Sequence, residues 1–435
     1  MEAALFEQQV GLSQISPRFS HTFAAFREPG YRLLWPASVL ASTGRFMQTI
    51  LLAWFVLERT DSPWQVALVG FFAWAPLLGL GVVGGALADA LDRRRLWRAT
   101  VTVSMLTSAA LTTLLLGHWI EVWHVFVGAL VSGAADALGM PSRRSLLHDI
   151  VGGERVTNAV ALDNMGMNLS GIVGPALAGL LITVSGVSGG YVVATAIYVV
   201  SLILSQALRL KRGTRMASRA PKLGDVARGL KYVAGHRALL ATVAITVVMN
   251  LTVTPYRQMV PVVARDVLNV APGLMGLITS AHGVGALVGS LVVASSPGIR
   301  YHGRVYMGGS ALALGSLLAF SLSRSYALSL VIVLLAGFGN AGFNTMQMSL
   351  AMLLPKDGMR GISLGAVSLG VGGGPVGMLI TGAVATAVGT TGAIGINAVY
   401  GLVAIALVGS LAPTLRRRIA PDTPIQSQPK TKDVT

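Results

Sequence analysis

The chain has 435 residues, of which 53% are hydrophobic and 11% charged, with a mean hydropathy of +0.68 and a net charge of +16. Soluble domains carry about 25% charged residues, so this composition makes lipid the solvent and leaves little length for a soluble domain. Cysteine is absent, which excludes disulfides, thiol catalysis and thiolate metal sites.

Residues 1–30 carry Glu2 and Glu7 and lack a basic-then-apolar leader, so they read as a cytoplasmic lead-in and not a secretory signal. The stretch 23–32 is expected to lie on the inner membrane surface as a short amphipathic segment. Apolar runs long enough to cross a bilayer follow at about 31–57, 66–90, 97–117, 121–143, 157–184 and 190–210. A basic polar segment, 211–237, interrupts them and holds a candidate surface helix at 223–233. Six more runs follow at about 238–264, 272–296, 303–322, 325–353, 361–388 and 391–412, and then a polar tail, 413–435, expected to be disordered. These runs are too long for barrel strands, which alternate over about ten residues. The expected fold is therefore all-α, with twelve transmembrane helices in two six-helix bundles, 31–210 and 238–412.

Of the 33 Lys and Arg residues, 28 fall at one set of alternating span ends. Arg59, Arg265 and Arg324 fall at the other, and Arg45 and Arg257 within spans. This positive-inside bias places both termini in the cytoplasm and turns the basic balance into a topology signal, with lipid rather than nucleic acid as the partner. Expected partners are a small-molecule substrate and membrane lipids, with the chain acting as a monomer and no cofactor beyond a proton gradient.

The two halves echo each other. Gly174-Pro175 recurs as Gly374-Pro375, Gly70 and Gly79 as Gly276 and Gly285, and Arg59 as Arg265. Such internal repeats place a binding site at the interface between them.

Several stretches carry a family resemblance. Trp54-Phe55-Val56-Leu57-Glu58-Arg59-Thr60-Asp61-Ser62-Pro63 ends the first span; Gly85 to Arg94 joins spans two and three. Pro141-Ser142-Arg143-Arg144-Ser145-Leu146-Leu147, followed by Asn158-Ala159, joins spans four and five, and Ser170 to Gly179 runs along span five. On these motifs the chain, over 26–411, resembles the major facilitator superfamily, most closely the branch of the enterobactin exporter and macrolide efflux proteins. The resemblance implies a gate at the mouth of span two built on Gly85, Asp89, Asp92, Arg93 and Arg94. Asp89 would face the start of span eleven near Gly361, where free backbone N–H groups favour an anion. Two departures stand in the motif: Ala90 where an arginine is expected and Asp92 where a glycine is. Asp92 then supplies an extra acid, while the second-half copy, from Gly285 to Arg304, has none. In span five, Ser170, Gly174, Pro175 and Gly179, with Gly374 and Pro375 in span eleven, imply by the resemblance a tight, leak-resistant interface between the two halves, the alternative being simple helix packing.

Arg45, near the middle of span one, costs about 2.5–3.5 kcal/mol to insert and so needs a wet cavity or a partner. Gln48 lies one turn away, Asp136 in span four is the first candidate partner and Asp163 in span five the second. Three readings stay open: recognition of an anionic substrate group, tuning of Asp136 as proton carrier, and a structural pair. Arg257 either faces the cavity or snorkels to the outer headgroups. His282 is either a proton relay or a hydrogen-bonded structural group. Asn340, Asn344 and Gln347 share one helical stripe of span ten, which suits either a polar pocket wall or packing between helices. Trp35, Trp54, Trp64, Trp97, Trp119 and Trp123 read as interfacial belts, with Trp74 deeper.

The resulting expectation is an inner-membrane exporter of an amphipathic organic molecule, drug or siderophore-like, working by proton-coupled alternating access. The alternatives are an uncoupled facilitator or importer and a transport-fold component of a larger assembly. A membrane enzyme is disfavoured, because the seven histidines lie scattered without a nucleophile–base or metal spacing.

Overall fold

Proline opens several of the helices, where its missing N–H costs nothing and its fixed φ suits the first turn: Pro29, Pro63 and Pro272 each stand there. The computed structural model describes residues 24–208, 231–296, 299, 301–355 and 359–416, without the side chains of 81–90, 153–154, 360–362 and 416. The first half comprises α1 (Pro29–Thr60), α2 (Pro63–Ala90), α3 (Arg93–Leu116), α4 (Val122–Gly152) and the apolar stretch Arg155–Ala207. The second comprises α7 (Arg237–Asp266), α8 (Pro272–Ser295), α9 (His302–Leu322), α10 (Tyr326–Leu353), α11 (Ser363–Val388) and α12 (Thr390–Leu411).

Eleven stretches are thus long and apolar enough to cross a membrane. One of them is two crossings. A straight helix of 53 residues, the length of Arg155–Ala207, would reach about 80 Å, more than twice the hydrocarbon thickness. Gly186 breaks it with φ 70°, a left-handed conformation that glycine tolerates. The reversal is visible in its contacts. Ser170 donates to the carbonyl of Val39 at 2.9 Å and Ser201 to that of Ala37 at 2.8 Å, so the outgoing and returning arms meet the same turn of α1. We label these arms α5 (155–186) and α6 (187–207), which gives twelve passes.

Hydroxyls and small residues join helices where lipid supplies no hydrophobic drive. In the first half Thr195 of α6 lies 2.8 Å from Ser108 and 2.9 Å from Thr112 of α3. In the second, Tyr306 of α9 and Gln347 of α10 both reach Thr246 of α7, at 3.0 and 2.9 Å. Asn397 of α12 donates to Thr381 of α11 at 2.7 Å.

Several expectations are corrected. Segment 23–32 is no surface lead-in over its described part. Ala25 is fully buried, its N–H bonds Asn158 of α5 at 3.0 Å, and Phe26 packs edge-on against Tyr31 and Trp35. Helix α4 runs nine residues past its expected end, carrying Asp149 with it. Trp54 and Trp97 are buried inside the protein, whereas Trp119 and Trp123 are exposed as belt residues should be. The expected helix at 223–233 and the tail beyond 416 lie largely or wholly outside the described residues.

Candidate functional site

The two halves touch along two related seams. On the first, α5 crosses α8: a Cβ added to Gly276 would stand 2.5 Å from the Pro175 carbonyl, and one on Gly179 2.9 Å from the Gly276 Cα. Only glycine allows backbones so close. On the second, α11 crosses α2, where a Cβ on Gly382 would meet Ala67 at 2.5 Å and one on Gly70 would meet Met378 at 2.6 Å. Gly70 and Gly276, which echo each other in sequence, thus hold equivalent places. Gly79 and Gly285 do not: the first faces open space and the second the Leu334 carbonyl. The span-five motif divides its labour. Ser170 and Gly174 pack on α1 within the first half, while Gly179 meets the second. In α11, Gly374 lies against Thr254 of α7, and Pro375 is buried beside it.

Hydrogen bonds and ion pairs join the halves in the middle and at one end of the molecule. Gln258 donates to the Val66 carbonyl at 3.2 Å, and Ser280 to that of Ile172 at 2.6 Å. The N–H of Gly273 meets Thr183 at 2.9 Å. Arg265 reaches Leu57 and Asp61, at 3.0 and 2.8 Å. This end is sealed.

At the basic end, part of the expected gate motif falls among the described side chains. Arg93 pairs with Asp149 at the end of α4, at 2.8 Å. Asp92 is not a spare acid: its Oδ1 accepts the N–H groups of Arg94 and Arg95 at 2.9 and 3.1 Å and caps α3. Arg94 donates to the Leu208 carbonyl at 3.1 Å, and Arg98 joins it there at 2.9 Å, closing the end of α6 within the same half. Gly85 and Asp89, and the start of α11 at Gly361, lie outside the described side chains.

In the membrane interior, Arg45 and Asp136 line two adjoining clefts. One is bounded by α1, α3, α4, α5 and α6. The other, a cavity of about 90 Å³ bounded by α1, α2, α4 and α7, includes Gln48, Trp74 and Gln258. Arg45 Nε stands 3.5 Å from Asp136 Oδ2, an ion pair without hydrogen-bond geometry, its side chains 23% and 44% exposed. Cavity access explains why a charge survives at this depth. Gln48 accepts from Tyr198 at 3.2 Å while its Nε2 has no hydrogen-bond partner. Asp163, the second candidate partner of Arg45, is instead held by Arg143 in a nearly buried pair between α4 and α5.

Arg257 does not snorkel. Its guanidinium lies 5.9 Å from the ring centre of Phe46 on α1. The adjacent Tyr256 meets His282 Nδ1 at 2.5 Å, so that histidine is buried and hydrogen-bonded. In the span-ten stripe, Gln347 donates to Thr246, Asn340 is half-buried and Asn344 is exposed. Sequence reasoning missed Phe46, flanked by two arginines, and the bridging role of Arg265. Adjacency to Arg45, and the echo of Arg59, were the signals present.

Twelve apolar passes in two related bundles, glycine seams between them and a charged cleft at mid-membrane define a membrane transporter rather than an enzyme. The profile of the family described as transmembrane secretion effector matches residues 20–429, and the chain belongs to that family. It is an efflux or secretion transporter of the major facilitator type. The chain is 24% identical to the staphyloferrin A transporter of Staphylococcus aureus, over 63% of this chain and 69% of that one. It is 28% identical to the multidrug efflux pump Tap of Mycobacterium tuberculosis, over 83% and 88%. To macrolide efflux protein A of Streptococcus pyogenes it is 19% identical, over 60% and 65%. In fold it resembles peptide transporter POT, solved with alafosfalin (TM-score 0.74, 14% identity, 91% of this chain and 96% of that one). It also resembles a bacterial homologue of the lysosomal transporter Spinster, solved inward-facing and unoccupied (TM-score 0.70, 12% identity, 90% and 99%).

Proposed function

We propose that this chain is an inner-membrane exporter that moves an amphipathic organic molecule, drug or siderophore-like, by proton-coupled alternating access. The observation that carries this reading is the loose Arg45–Asp136 pair, 3.5 Å apart and partly open to a cleft in the membrane interior. An acid and a base so placed exchange partners cheaply. Protonation of Asp136 releases Arg45 to a substrate, and deprotonation draws Arg45 back, so the proton on Asp136 sets the affinity of the site. The placing of basic residues supports a cytoplasmic side at the end opposite Arg265. Names borne by the relatives, a siderophore transporter and two drug efflux proteins, support the substrate class and the outward direction.

The test is transport in proteoliposomes with an imposed pH gradient, scored over a panel of drugs and siderophore-like compounds. Wild-type flux is expected to follow the gradient and to collapse with a protonophore. Asp136→Asn should keep substrate exchange while losing gradient-driven accumulation, and Arg45→Gln should lose both. Flux indifferent to the gradient would select a facilitator instead. Wild-type flux in both mutants would remove the pair from the mechanism.

A further inference from the structure

Resting on the transport reading above, we infer that the site is built for an organic anion, whose carboxylate or other oxyanion is held between Arg45 of the first half and Arg257 of the second while its apolar body lies against Phe46. The two guanidinium groups stand 4.7 and 5.9 Å from the Phe46 ring centre, which caps their separation at about 11 Å. A small carboxylate with its two charge-assisted hydrogen bonds fills such a gap.

The charge inventory favours the same conclusion. No acid among the described residues pairs with Arg257, and Asp136 meets Arg45 without a hydrogen bond. Asp163 is already taken by Arg143. Two cations thus lie within 6 Å of the Phe46 ring centre, against one available carboxylate. An uncompensated arginine at this depth costs several kcal/mol, so its retention points to a counter-charge brought by the ligand. A further donor supports this: Gln48, 4% exposed and lining the cleft beside Arg45, has an Nε2 without any partner. Among the described residues, Gln48 Nε2 and the Arg257 guanidinium both lack an acceptor, which an oxyanion supplies. Because Arg45 and Arg257 sit on opposite halves, an anion bound to both would also draw the halves together. A neutral or cationic molecule could not.

The probes are three isosteric compounds: 2-naphthoate, 2-naphthamide and 2-naphthylmethylammonium. Their binding to the full chain is measured by scintillation proximity or calorimetry in phosphatidylcholine nanodiscs, which carry no competing anionic lipid. Naphthoate is expected to bind at least tenfold more tightly than either analogue. Arg257→Gln should remove that preference, and Arg257→Lys should restore part of it. Repeating the measurement with phosphatidylglycerol discs separates the sources. Unchanged naphthoate binding assigns the clamp to small organic anions, and competitive displacement assigns the same oxyanion chemistry to a lipid headgroup. Naphthoate binding no tighter than the amide, including no binding of either, overturns the inference, and needs no variant to be folded. Its failure is separable from that of the transport reading. Cation efflux by the wild type with no anion preference sinks the clamp alone. Anion binding without transport of any compound sinks the exporter.

Discussion

Arg265 donates from Nη1 to the carbonyl of Leu57, 3.0 Å away and 208 residues earlier in the chain, closing the last turn of α1 with a side chain from the other half. The same guanidinium pairs with Asp61, whose φ of 47° ends that helix, and with its own neighbour Asp266 at 2.5 Å. A cation at a helix C-terminus meets both the orphan carbonyls and the negative end of the dipole. Because that cation belongs to the opposite bundle, the capping contact is also a latch.

Arg265→Gln should loosen the sealed end. The latch is partly exposed, so its loss is worth about 1–2 kcal/mol, a factor of roughly 5–30 in the ratio of sealed to open states. The chain has no native cysteine, so spin labels at Ser62→Cys and Leu268→Cys report this end alone. A broadened, longer distance distribution is expected in the variant. An unchanged one would mean that the glycine seams hold the end closed by themselves.

Gly276→Val should block that closure sterically. Its first side-chain carbon would meet the Pro175 carbonyl at 2.5 Å, a backbone atom that cannot swing aside. We expect protein that inserts and purifies normally yet transports at a few per cent of the wild-type rate. Gly79→Ala, where nothing lies within 4 Å, serves as the neutral control. Equal transport by the two variants would contradict the seam.

Breaking the Arg143–Asp163 pair should cost stability rather than coupling. Both side chains are nearly buried, at 10% and 13% exposure, and removing one partner of such a pair typically costs about 3–5 kcal/mol. Asp163→Ala should lower the melting temperature sharply, and the double substitution Arg143→Met with Asp163→Leu should recover most of the loss. Full thermal stability in Asp163→Ala with loss of gradient-driven transport would instead make Asp163 a proton carrier.

Tyr256→Phe should leave the His282 ring nitrogen without its 2.5 Å partner in a buried setting. An unsatisfied buried group costs about 1–3 kcal/mol. A fall of several degrees in melting temperature, with the pH profile of transport unmoved, is the outcome of a structural histidine. A displaced pH profile would identify a relay.

How far the sequence was legible follows from what each feature depends on. The helices were readable because a bilayer imposes a length on every apolar run, and observed ends fall within a few residues of those expected in most spans. The end of α4 was not readable, since Asp149 looks like a loop residue until Arg93 is known to hold it. Glycine echoes located both seams, but could not say that Gly174 packs within its own half while Gly179 crosses to the other. Asp92 misled for a similar reason: an acid beside arginines suits an ionic network, and only the backbone turn reveals a helix cap. Trp54 and Trp97 were misplaced because position near a span end fixes depth and leaves open which way an indole points. Mid-span arginines announced a cleft by cost alone. That both lie near Phe46 depends on α1 and α7 meeting, which no local pattern encodes.

The reversal at Gly186 has a mechanical outcome. Two arms of one hairpin grip neighbouring carbonyls on α1, so tilting that helix alone would require releasing both at once. Whatever rearrangement carries cargo across must therefore move these three helices as one stiff block, with slippage confined to the glycine-lined joints on either side.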